Sequence, residues 1–293
     1  MRVAIYGKNI NSASHQSFTD LLNSLQQHRI KVIIHNVLYQ FLSQNSSIAL
    51  TDVDTFSTHH ELKNIDFMIT FGGDGTFLEA VPFARSSNIP IVGINSGRLG
   101  FLASIHQNEI ILAIDHILKN NYEIRKLSLL EVTADDTHFT TFPFALNEVA
   151  IHKRDSASMI TVHAHINGEF LNSYWADGLL IATPTGSTAY SLSVGGPIVH
   201  PSSSSIIINP IAPHNLNVRP LLIPANSELT LKIEGRGDSY LCSLDSRSYQ
   251  FNHAIELKIK QADFQIQVIE LKGHSFYATL REKLMWGADR RNP

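Results

Sequence analysis

Residues 65–84 read IDFMITFGGDGTFLEAVPFA, and this stretch decides the fold of the first half of the chain. The apolar run Ile65–Phe71 predicts a buried strand, and the glycine-rich loop Gly72–Thr76 follows it directly. Phe77–Ala84 then predicts a helix, which Pro82 should shorten or kink because proline lacks the backbone N–H of a helix interior. A strand, a glycine loop and a helix in this order are typical of a parallel sheet covered by helices.

Strands and helices alternate on both sides of this stretch. Further strands are predicted in three short apolar runs, Arg2–Tyr6, Lys31–His35 and Ile89–Ile94. Further helices are predicted from the apolar spacing of Phe18–Gln27, Ile105–Lys119 and Phe276–Trp286. The alternation predicts an α/β N-terminal domain over residues 1–122, with a parallel sheet flanked by helices. We expect the segment from about residue 270 to residue 293, with its C-terminal helix, to return to this domain.

The sequence changes character near residue 123. From there to about residue 269 it consists mainly of strand-like runs, separated in places by turn signals such as Asn167-Gly168. The predicted strands are Leu129–Ala134, Phe144–His152, Met159–Ile166, Leu179–Ala182, Leu221–Ile223, Glu228–Ile233, Leu241–Leu244 and Ile255–Ile259. They predict a second, all-β domain over residues 123–269, built from two packed sheets. Two domains also suit a chain of 293 residues at about 150 residues per domain.

Composition excludes several classes of function. The chain is 43% hydrophobic with a formal net charge of −3, so it carries no overall field that would hold DNA or RNA. Cys242 is the only cysteine, which excludes an intrachain disulfide and a thiolate zinc site and favours a reducing compartment. The N-terminal apolar run is too short for a signal peptide, and no run approaches the roughly 18 apolar residues of a membrane span. We therefore expect a cytoplasmic protein without nucleic-acid or membrane partners.

The loop Gly72–Thr76 is the first candidate site. At the carboxyl end of a strand and the start of a helix, successive backbone N–H groups can point at one anionic group. A carboxylate is unexpected in such a position unless Asp74 accepts a proton from an attacking hydroxyl or holds Mg²⁺ against phosphates. The structural alternative is a tight turn with a helix-capping Asp74. The spacing fits neither a P-loop nor the dinucleotide-binding fingerprint.

Three other segments are candidates. Asn95–Leu102 follows a strand and suits either a second ligand loop or a plain strand-to-helix connection. Asn147-Glu148 lies within an apolar run, where the pair predicts ligand contacts if it is buried and an edge strand with solvated polar residues if it is not. Asp177–Pro197 passes from an apolar strand into glycines and small hydroxyl residues, which make poor core but a good pocket lining, and Tyr190 offers a flat face for a base.

Taken together, these motifs resemble the NAD kinase family. The matching strings are Gly72-Gly73-Asp74-Gly75-Thr76, Gly93-Ile94-Asn95 with Gly100-Phe101-Leu102, Asn147-Glu148, and Asp177-Gly178 through Pro197. The glycine loop is shared with lipid and sugar kinases, whereas the Thr183–Tyr190 segment is specific to NAD kinases. The resemblance implies an enzyme, a phosphotransferase that moves the γ-phosphoryl group of ATP to the 2′-hydroxyl of the adenosine ribose of NAD.

The resemblance also implies roles for individual residues. Asp74 would accept the proton of the 2′-hydroxyl. The phosphates would be held by Gly72, Gly73, Gly75, Thr76 and Asn95. The NAD-binding residues of the second domain would be Asn147, Glu148, Trp175, Asp177, Thr185, Ser187, Thr188, Ala189, Tyr190 and Asp245. Mg²⁺ or another divalent cation would arrive with ATP, near Asp74, rather than in a site made by protein ligands alone. Family members are usually homodimers or homotetramers.

Some alternatives stay open at this stage. Trp175 departs from the family, in which some bacterial members carry a basic residue at this position, so both NAD and NADH stay open as acceptors. ATP, other triphosphates and polyphosphate stay open as donors. A lipid kinase of the diacylglycerol or sphingosine type would share the glycine loop, but it would not need Thr185–Tyr190. A non-catalytic NAD-binding regulator would be expected to lack Asp74.

Overall fold

A computed structural model describes residues 1–45, 48, 50–51, 53–85, 87–134, 141–154, 158–235, 239–251, 256–273 and 275–287. The chain divides into two compact units. The first unit comprises Met1–Lys126 and Ile266–Pro293, and the second comprises Leu127–Gln265. The boundary falls inside two long strands, Tyr122–Ala134 and Glu256–Leu271.

The first unit alternates strands and helices along the chain. Its elements are β1 (Arg2–Tyr6), α1 (His15–Gln27), β2 (Lys31–His35), α2 (Asn36–Asn45), β3 (Val53–Phe56), β4 (Phe67–Gly72), α3 (Asp74–Ala84), β5 (Ile91–Asn95), β6 (Ile105–His106) and α4 (Ile110–Leu118). The elements of the second unit, together with the two boundary strands, are β7 (Tyr122–Ala134), β8 (Phe144–Ala145), β9 (Glu148–Lys153), β10 (Ile160–Ile166), β11 (Glu169–Ala176), β12 (Gly178–Ala182), α5 (Tyr190–Ser193), β13 (Ser205–Ile211), β14 (Leu221–Pro224), β15 (Leu229–Glu234), β16 (Tyr240–Leu244), β17 (Arg247–Phe251) and β18 (Glu256–Leu271). The chain ends with α6 (Phe276–Leu284), which belongs to the first unit.

The sheet of the first unit is parallel and has the strand order β3-β2-β1-β4-β5, with the last part of β18 beside β5. Alternate residues of each strand face opposite helix layers. Val3 and Ile5 pack with α1, α2 and α4 in one apolar cluster, whereas Ala4 and Tyr6 pack with Ala80 of α3 in another. The helices therefore cover both faces, as the alternation predicted.

The second unit contains two antiparallel sheets. One sheet has the order β14-β13-β12-β9-β16-β17, and the other contains β11-β10-β15-β18 with β7 and β8 beside it. Inward side chains of both sheets form one apolar core, which includes Val149, Leu179 and Cys242 from the first and Val162 and Leu231 from the second. This arrangement confirms the predicted all-β region of two packed sheets.

Several element boundaries differ from those that the sequence predicts. Helix α3 does not stop at Pro82 but continues to Ala84, where Arg85 ends it with a positive φ of 42°. The helix predicted from Ile105 begins only at Ile110, because Ile105 and His106 pair as β6 with the end of β5. The C-terminal helix ends at Leu284, two residues before its predicted end, and Met285 follows it in the left-handed conformation.

The described part of the chain contains no helix that is both long enough and apolar enough to cross a membrane.

Candidate active site

The candidate site of the first unit lies at the carboxyl edge of the parallel sheet. Strands β4 and β5 pair in register so that their last residues, Gly72 and Asn95, lie opposite each other. The two loops that follow these strands are therefore neighbours, and the backbone N–H of Ser96 donates to the Gly72 carbonyl at 3.2 Å. Gly72 is needed because a Cβ there would lie 2.2 Å from Oγ1 of Thr76.

Asn95 organises the second loop from within. It is buried, and its Oδ1 accepts a hydrogen bond from the Gly97 N–H at 2.7 Å. Its Nδ2 donates to the Arg98 carbonyl. The side chain of Asn95 is thus engaged in shaping its own loop, and a role for Asn95 toward phosphates stays a prediction.

Asp74 joins the two loops. It is the first residue of α3, one residue after the N-cap Gly73, so it is not the helix cap of the structural alternative. Its carboxylate instead accepts three consecutive backbone N–H groups, those of Phe101 at 2.9 Å, Leu102 at 3.0 Å and Ala103 at 2.9 Å. These bonds fix the direction of the carboxylate at the start of the helix, where its negative charge is favoured by the helix dipole.

The close approach of Gly100 to Asp74 yields a test of this geometry. A Cβ at Gly100 would lie 1.9 Å from Asp74 Oδ1, so Gly100→Ala must push the carboxylate out of its cradle. If Asp74 acts on substrate, the variant should lose roughly tenfold or more of its turnover, because a displacement of about 1 Å can cost up to about 10²-fold. Its melting temperature should fall as well, because the displaced carboxylate no longer accepts all of its backbone hydrogen bonds. Gly97→Ala is the matched control, since its Cβ would meet nothing closer than Asn95 Oδ1 at 3.9 Å. Equal turnover in the two variants would contradict the assignment.

A second carboxylate in the second unit repeats this arrangement. Asp245 lies in the turn between β16 and β17 with a φ of 52°, and its carboxylate is buried. It accepts the backbone N–H groups of Leu146 at 2.9 Å, Asn147 at 2.8 Å and Glu148 at 3.2 Å. Asp245 was predicted to contact NAD, but all three of these bonds are made inside the protein. In the structure, Asp245 fixes the backbone of the segment that carries Asn147 and Glu148.

Asn147 and Glu148 are both buried, and β9 lies in the middle of its sheet between β12 and β16. The alternative of a solvated edge strand is therefore wrong. Burial and, after it, the negative charge of Asp245 raise the pKa of Glu148 to about 8, although a hydrogen bond from the Tyr190 backbone opposes the rise. Glu148 consequently holds a proton near neutral pH and can donate as well as accept a hydrogen bond.

Polar atoms without a partner mark the same region. Oδ1 of Asn147, Oε2 of Glu148 and Oγ1 of Thr185 are each buried and have no hydrogen-bond partner. Buried polar atoms are almost always paired in folded proteins, because leaving one unpaired costs about 1–3 kcal/mol. A ligand rich in hydroxyl groups would supply the missing partners.

The segment Thr185–Tyr190 folds as a 3₁₀ turn followed by α5. It lies directly on the Asn147 backbone, since a Cβ at Gly186 would lie 2.1 Å from the Asn147 carbonyl oxygen. The Ser187 hydroxyl is buried and both donates to and accepts from the Val199 backbone at 3.0 Å. Ser187 therefore ties the segment down, and the Thr188 hydroxyl is bonded to the Thr185 carbonyl at 3.3 Å.

Residues that the sequence did not single out complete the candidate site of the second unit. The ring of His152 stacks on Tyr190 with centroids 5.7 Å apart, and burial lowers the pKa of His152 so that its ring is neutral. The Lys153 ammonium lies 2.5 Å from Oδ1 of Asp177. His152 could have been found from strand alternation, because residues two apart on a strand share a face and His152 is four residues after Glu148.

Trp175 contacts His214 rather than His152, Tyr190 or Asp177. Its side chain is about half exposed, and its ring lies 4.2 Å from that of His214. The His214 N–H donates to the Trp175 carbonyl at 2.9 Å. Trp175 therefore forms an aromatic pair with His214.

Comparison with known proteins gives a consistent result over both units. Residues 3–122 match the family profile of the ATP-NAD kinase N-terminal domain, and residues 146–271 match that of the C-terminal domain. The chain is 46% identical over 292 residues to an NAD kinase of Cytophaga hutchinsonii, covering all of both chains. It is 45% identical to an NAD kinase of Flavobacterium psychrophilum, again over the whole of both chains. The chain belongs to the NAD kinase family.

Solved structures agree with this assignment. Yeast NADH kinase complexed with NADH has a TM-score of 0.88 and 25% identity, and the match covers 100% of this chain and 90% of that one. An NAD kinase from Archaeoglobus fulgidus in complex with ATP shares the fold with a TM-score of 0.74 at 23% identity, covering 98% of both chains. The comparisons confirm a member of the NAD kinase family, a phosphotransferase acting on a hydroxyl group, and they give no support to a lipid kinase or a non-catalytic regulator.

Within the described residues of this NAD kinase family member, no group of three or more His, Cys, Asp and Glu side chains is arranged to hold a metal ion.

The pKa of Glu148 leads to a prediction about stability. The folded state keeps a proton on Glu148 up to a pKa of about 8, whereas the unfolded chain releases it near the ordinary value of 4.5. The free energy of unfolding therefore falls as pH rises through this window, and Glu148→Gln should abolish that fall. Melting temperatures of both proteins, measured from about pH 5 to about pH 9, should diverge in favour of the variant. Parallel curves would show that Glu148 titrates normally.

Proposed function

We propose that this protein transfers the γ-phosphoryl group of ATP to the 2′-hydroxyl of the adenosine ribose of NAD and so makes NADP. The observation that carries the proposal is the Asp74 carboxylate, held at the carboxyl edge of a parallel sheet by three backbone N–H groups. Edges of this kind are where open α/β sheets bind ligands. The names of relatives that match the whole chain support the same reaction.

Asp74 acts as the proton acceptor in this reaction. The ribose hydroxyl would lie within about 2.6–3.2 Å of the carboxylate, which accepts its proton as the hydroxyl oxygen attacks phosphorus. The fixed cradle matters because phosphoryl transfer is accelerated mainly by positioning and charge neutralisation. The unpaired N–H groups at the start of α3, from Gly73 to Thr76, face the phosphates, and the helix dipole favours the negative charge there.

The second unit holds NAD. Its unpaired polar atoms on Asn147, Glu148 and Thr185 suit the hydroxyl groups of a ribose, and the Tyr190 ring, whose residue is 36% exposed, offers one face to a base. Asp177, Thr188 and Ala189 complete this proposed site, with Trp175 contributing from β11. Ser187 and Asp245 contribute by holding the segments in place, as their internal hydrogen bonds suggest. That yeast NADH kinase was crystallised with NADH supports a dinucleotide site in this fold.

Further parts of the proposal come from the sequence. Mg²⁺ or another divalent cation bound with ATP would supply charge neutralisation at the phosphates, near Asp74. The protein acts in the cytoplasm as a homodimer or homotetramer. Trp175 replaces a cation that could hold the new 2′-phosphate, so product should bind less tightly than in members with a basic residue at this position.

One assay separates the proposed function from its rivals. The protein is incubated with NAD, ATP and Mg²⁺, and the product is detected with an NADP-specific dehydrogenase. The proposal expects NADP in proportion to enzyme and time. Phosphorylated lipid without NADP would point to a lipid kinase, and NAD binding without turnover would point to a regulator. Repeating the assay with NADH and with polyphosphate defines the acceptor and the donor.

A further inference from the structure

Asp74 has a fourth partner, which no motif in the sequence indicated. The Lys283 ammonium lies 3.2 Å from Asp74 Oδ2, in the last turn of α6. The same ammonium lies 4.8 Å from the centroid of the Phe101 ring. The two side chains are about one-third exposed, 32% for Lys283 and 27% for Asp74, so a ligand can reach the pair.

The fold places Lys283 there by two contacts at the start of α6. The Ser275 hydroxyl caps the helix by accepting the Ala278 N–H at 3.1 Å, and the Phe276 ring packs against the Phe101 ring with centroids 6.0 Å apart. Phe101 is also one of the residues whose N–H binds Asp74. Phe101 thus contacts both α6, through its ring, and the Asp74 carboxylate, through its N–H. These two contacts fix the position of the Lys283 backbone relative to Asp74.

The carboxylate of Asp74 is saturated by these four partners. A carboxylate has about four positions at which it accepts hydrogen bonds. Phe101, Leu102 and Ala103 occupy three of them with backbone N–H groups that cannot leave without unfolding the loop. Lys283 occupies the fourth, and it alone among the four is a flexible side chain. A substrate hydroxyl can therefore reach Asp74 only at the position that Lys283 holds.

We propose that Lys283 is a positioning residue of the phosphoryl transfer. Its ammonium orients the Asp74 carboxylate before substrate binds and is then displaced from Asp74 Oδ2 by the substrate hydroxyl. This inference rests on the proposed function. When the hydroxyl arrives, its proton goes to Asp74 Oδ2, a bond forms between its oxygen and the γ-phosphorus, and the bond from that phosphorus to the β–γ bridging oxygen breaks. The electron pair of the broken bond leaves with the diphosphate, so the step needs no further reactant.

The short distance to Asp74 keeps the positive charge near the reacting atoms. The attacking oxygen lies within about 3 Å of Asp74 Oδ2 by the requirement for proton transfer. Because Lys283 Nζ lies 3.2 Å from the same oxygen, the ammonium starts no more than about 6 Å from the attacking oxygen. A cation at this range stabilises the negative charge that passes from the hydroxyl to the carboxylate and the phosphoryl group.

Substitution of Lys283 tests the proposal. Lys283→Ala should lower kcat by about 10²-fold, as loss of one group aimed at developing charge does elsewhere, with little change in the KM for NAD. Ethylamine added to this variant should restore part of the lost turnover, because the small ammonium ion can occupy the vacated position. Lys283→Arg should retain more activity than Lys283→Ala. Arg281→Ala removes an exposed cation from the same last turn of α6 and serves as the control.

The outcomes separate the inference from the function on which it rests. Failure of the unmodified protein to make NADP would overturn the proposed function. A normal or raised kcat in Lys283→Ala, with the unmodified protein active, would overturn only the role of Lys283. A loss of kcat that ethylamine does not restore, together with a melting temperature below that of the unmodified protein, would show that Lys283 is only a structural contact. That result would overturn the inference as well.

Discussion

Asp74→Asn is expected to lower turnover by about 10²–10⁴-fold, the usual contribution of a positioned proton acceptor. The amide has nearly the shape of the carboxylate but cannot take up the proton of the hydroxyl at neutral pH. The KM values for NAD and ATP should change much less than kcat, because the loss concerns the transition state rather than binding. The coupled assay for NADP, run with saturating substrates, measures the effect directly.

The structure adds a stability cost to this prediction. The amide oxygen can still accept from Leu102 and Ala103, but the amide NH₂ then faces the Phe101 N–H and the Lys283 ammonium, which are both donors. We expect a loss of about 1 kcal/mol in the free energy of unfolding, because one backbone donor is left without an acceptor. Asp115→Asn, which breaks the exposed ion pair between Asp115 of α4 and Lys119, is a suitable control. Near-normal turnover in Asp74→Asn would remove Asp74 from the proton transfer.

The local sequence predicted those strands in which the polarity of each residue matches its burial in the fold. Strands β1 and β2 have the predicted bounds, because β-branched and apolar residues there fill positions buried on both faces of a parallel sheet. Strand β3 was missed, since Asp54 and Thr55 are exposed and its apolar residues are only two. Strand β13 was missed although it is apolar, because Pro210 argues against a strand interior. Pro210 is accepted here because β14 pairs only with Ser205–Ile208, so that the side of Pro210 away from β12 has no strand partner among the described residues.

The candidate site was predicted in part for a similar reason. Motifs identify residues that lie in runs along the chain, such as Gly72–Thr76 and Asn147-Glu148. They do not identify partners that only the fold brings together. Asp245 binds the Leu146 N–H across 99 residues of sequence, and Lys283 reaches Asp74 across 209. Neither residue carries a local pattern that would reveal its contact.

Asp245→Ala is expected to destabilise the protein by about 3 kcal/mol or more. It leaves the backbone N–H groups of Leu146, Asn147 and Glu148 without their acceptor, and an unpaired buried donor costs about 1–3 kcal/mol. The φ of 52° adds about 1–2 kcal/mol, because alanine adopts this conformation less readily than aspartate or asparagine. Urea unfolding of the variant measures the sum of these two contributions.

Two further variants at Asp245 separate the lost hydrogen bonds from the backbone conformation. Asp245→Gly relieves the positive φ but still lacks an acceptor, whereas Asp245→Asn keeps both an oxygen acceptor and tolerance of this φ. The expected order of stability is therefore the unmodified protein, then Asn, then Gly, then Ala. If Asn and Ala unfolded at the same urea concentration, the three N–H bonds would contribute nothing to stability. Asp245 would then have to be explained by contact with a ligand, as the sequence first suggested.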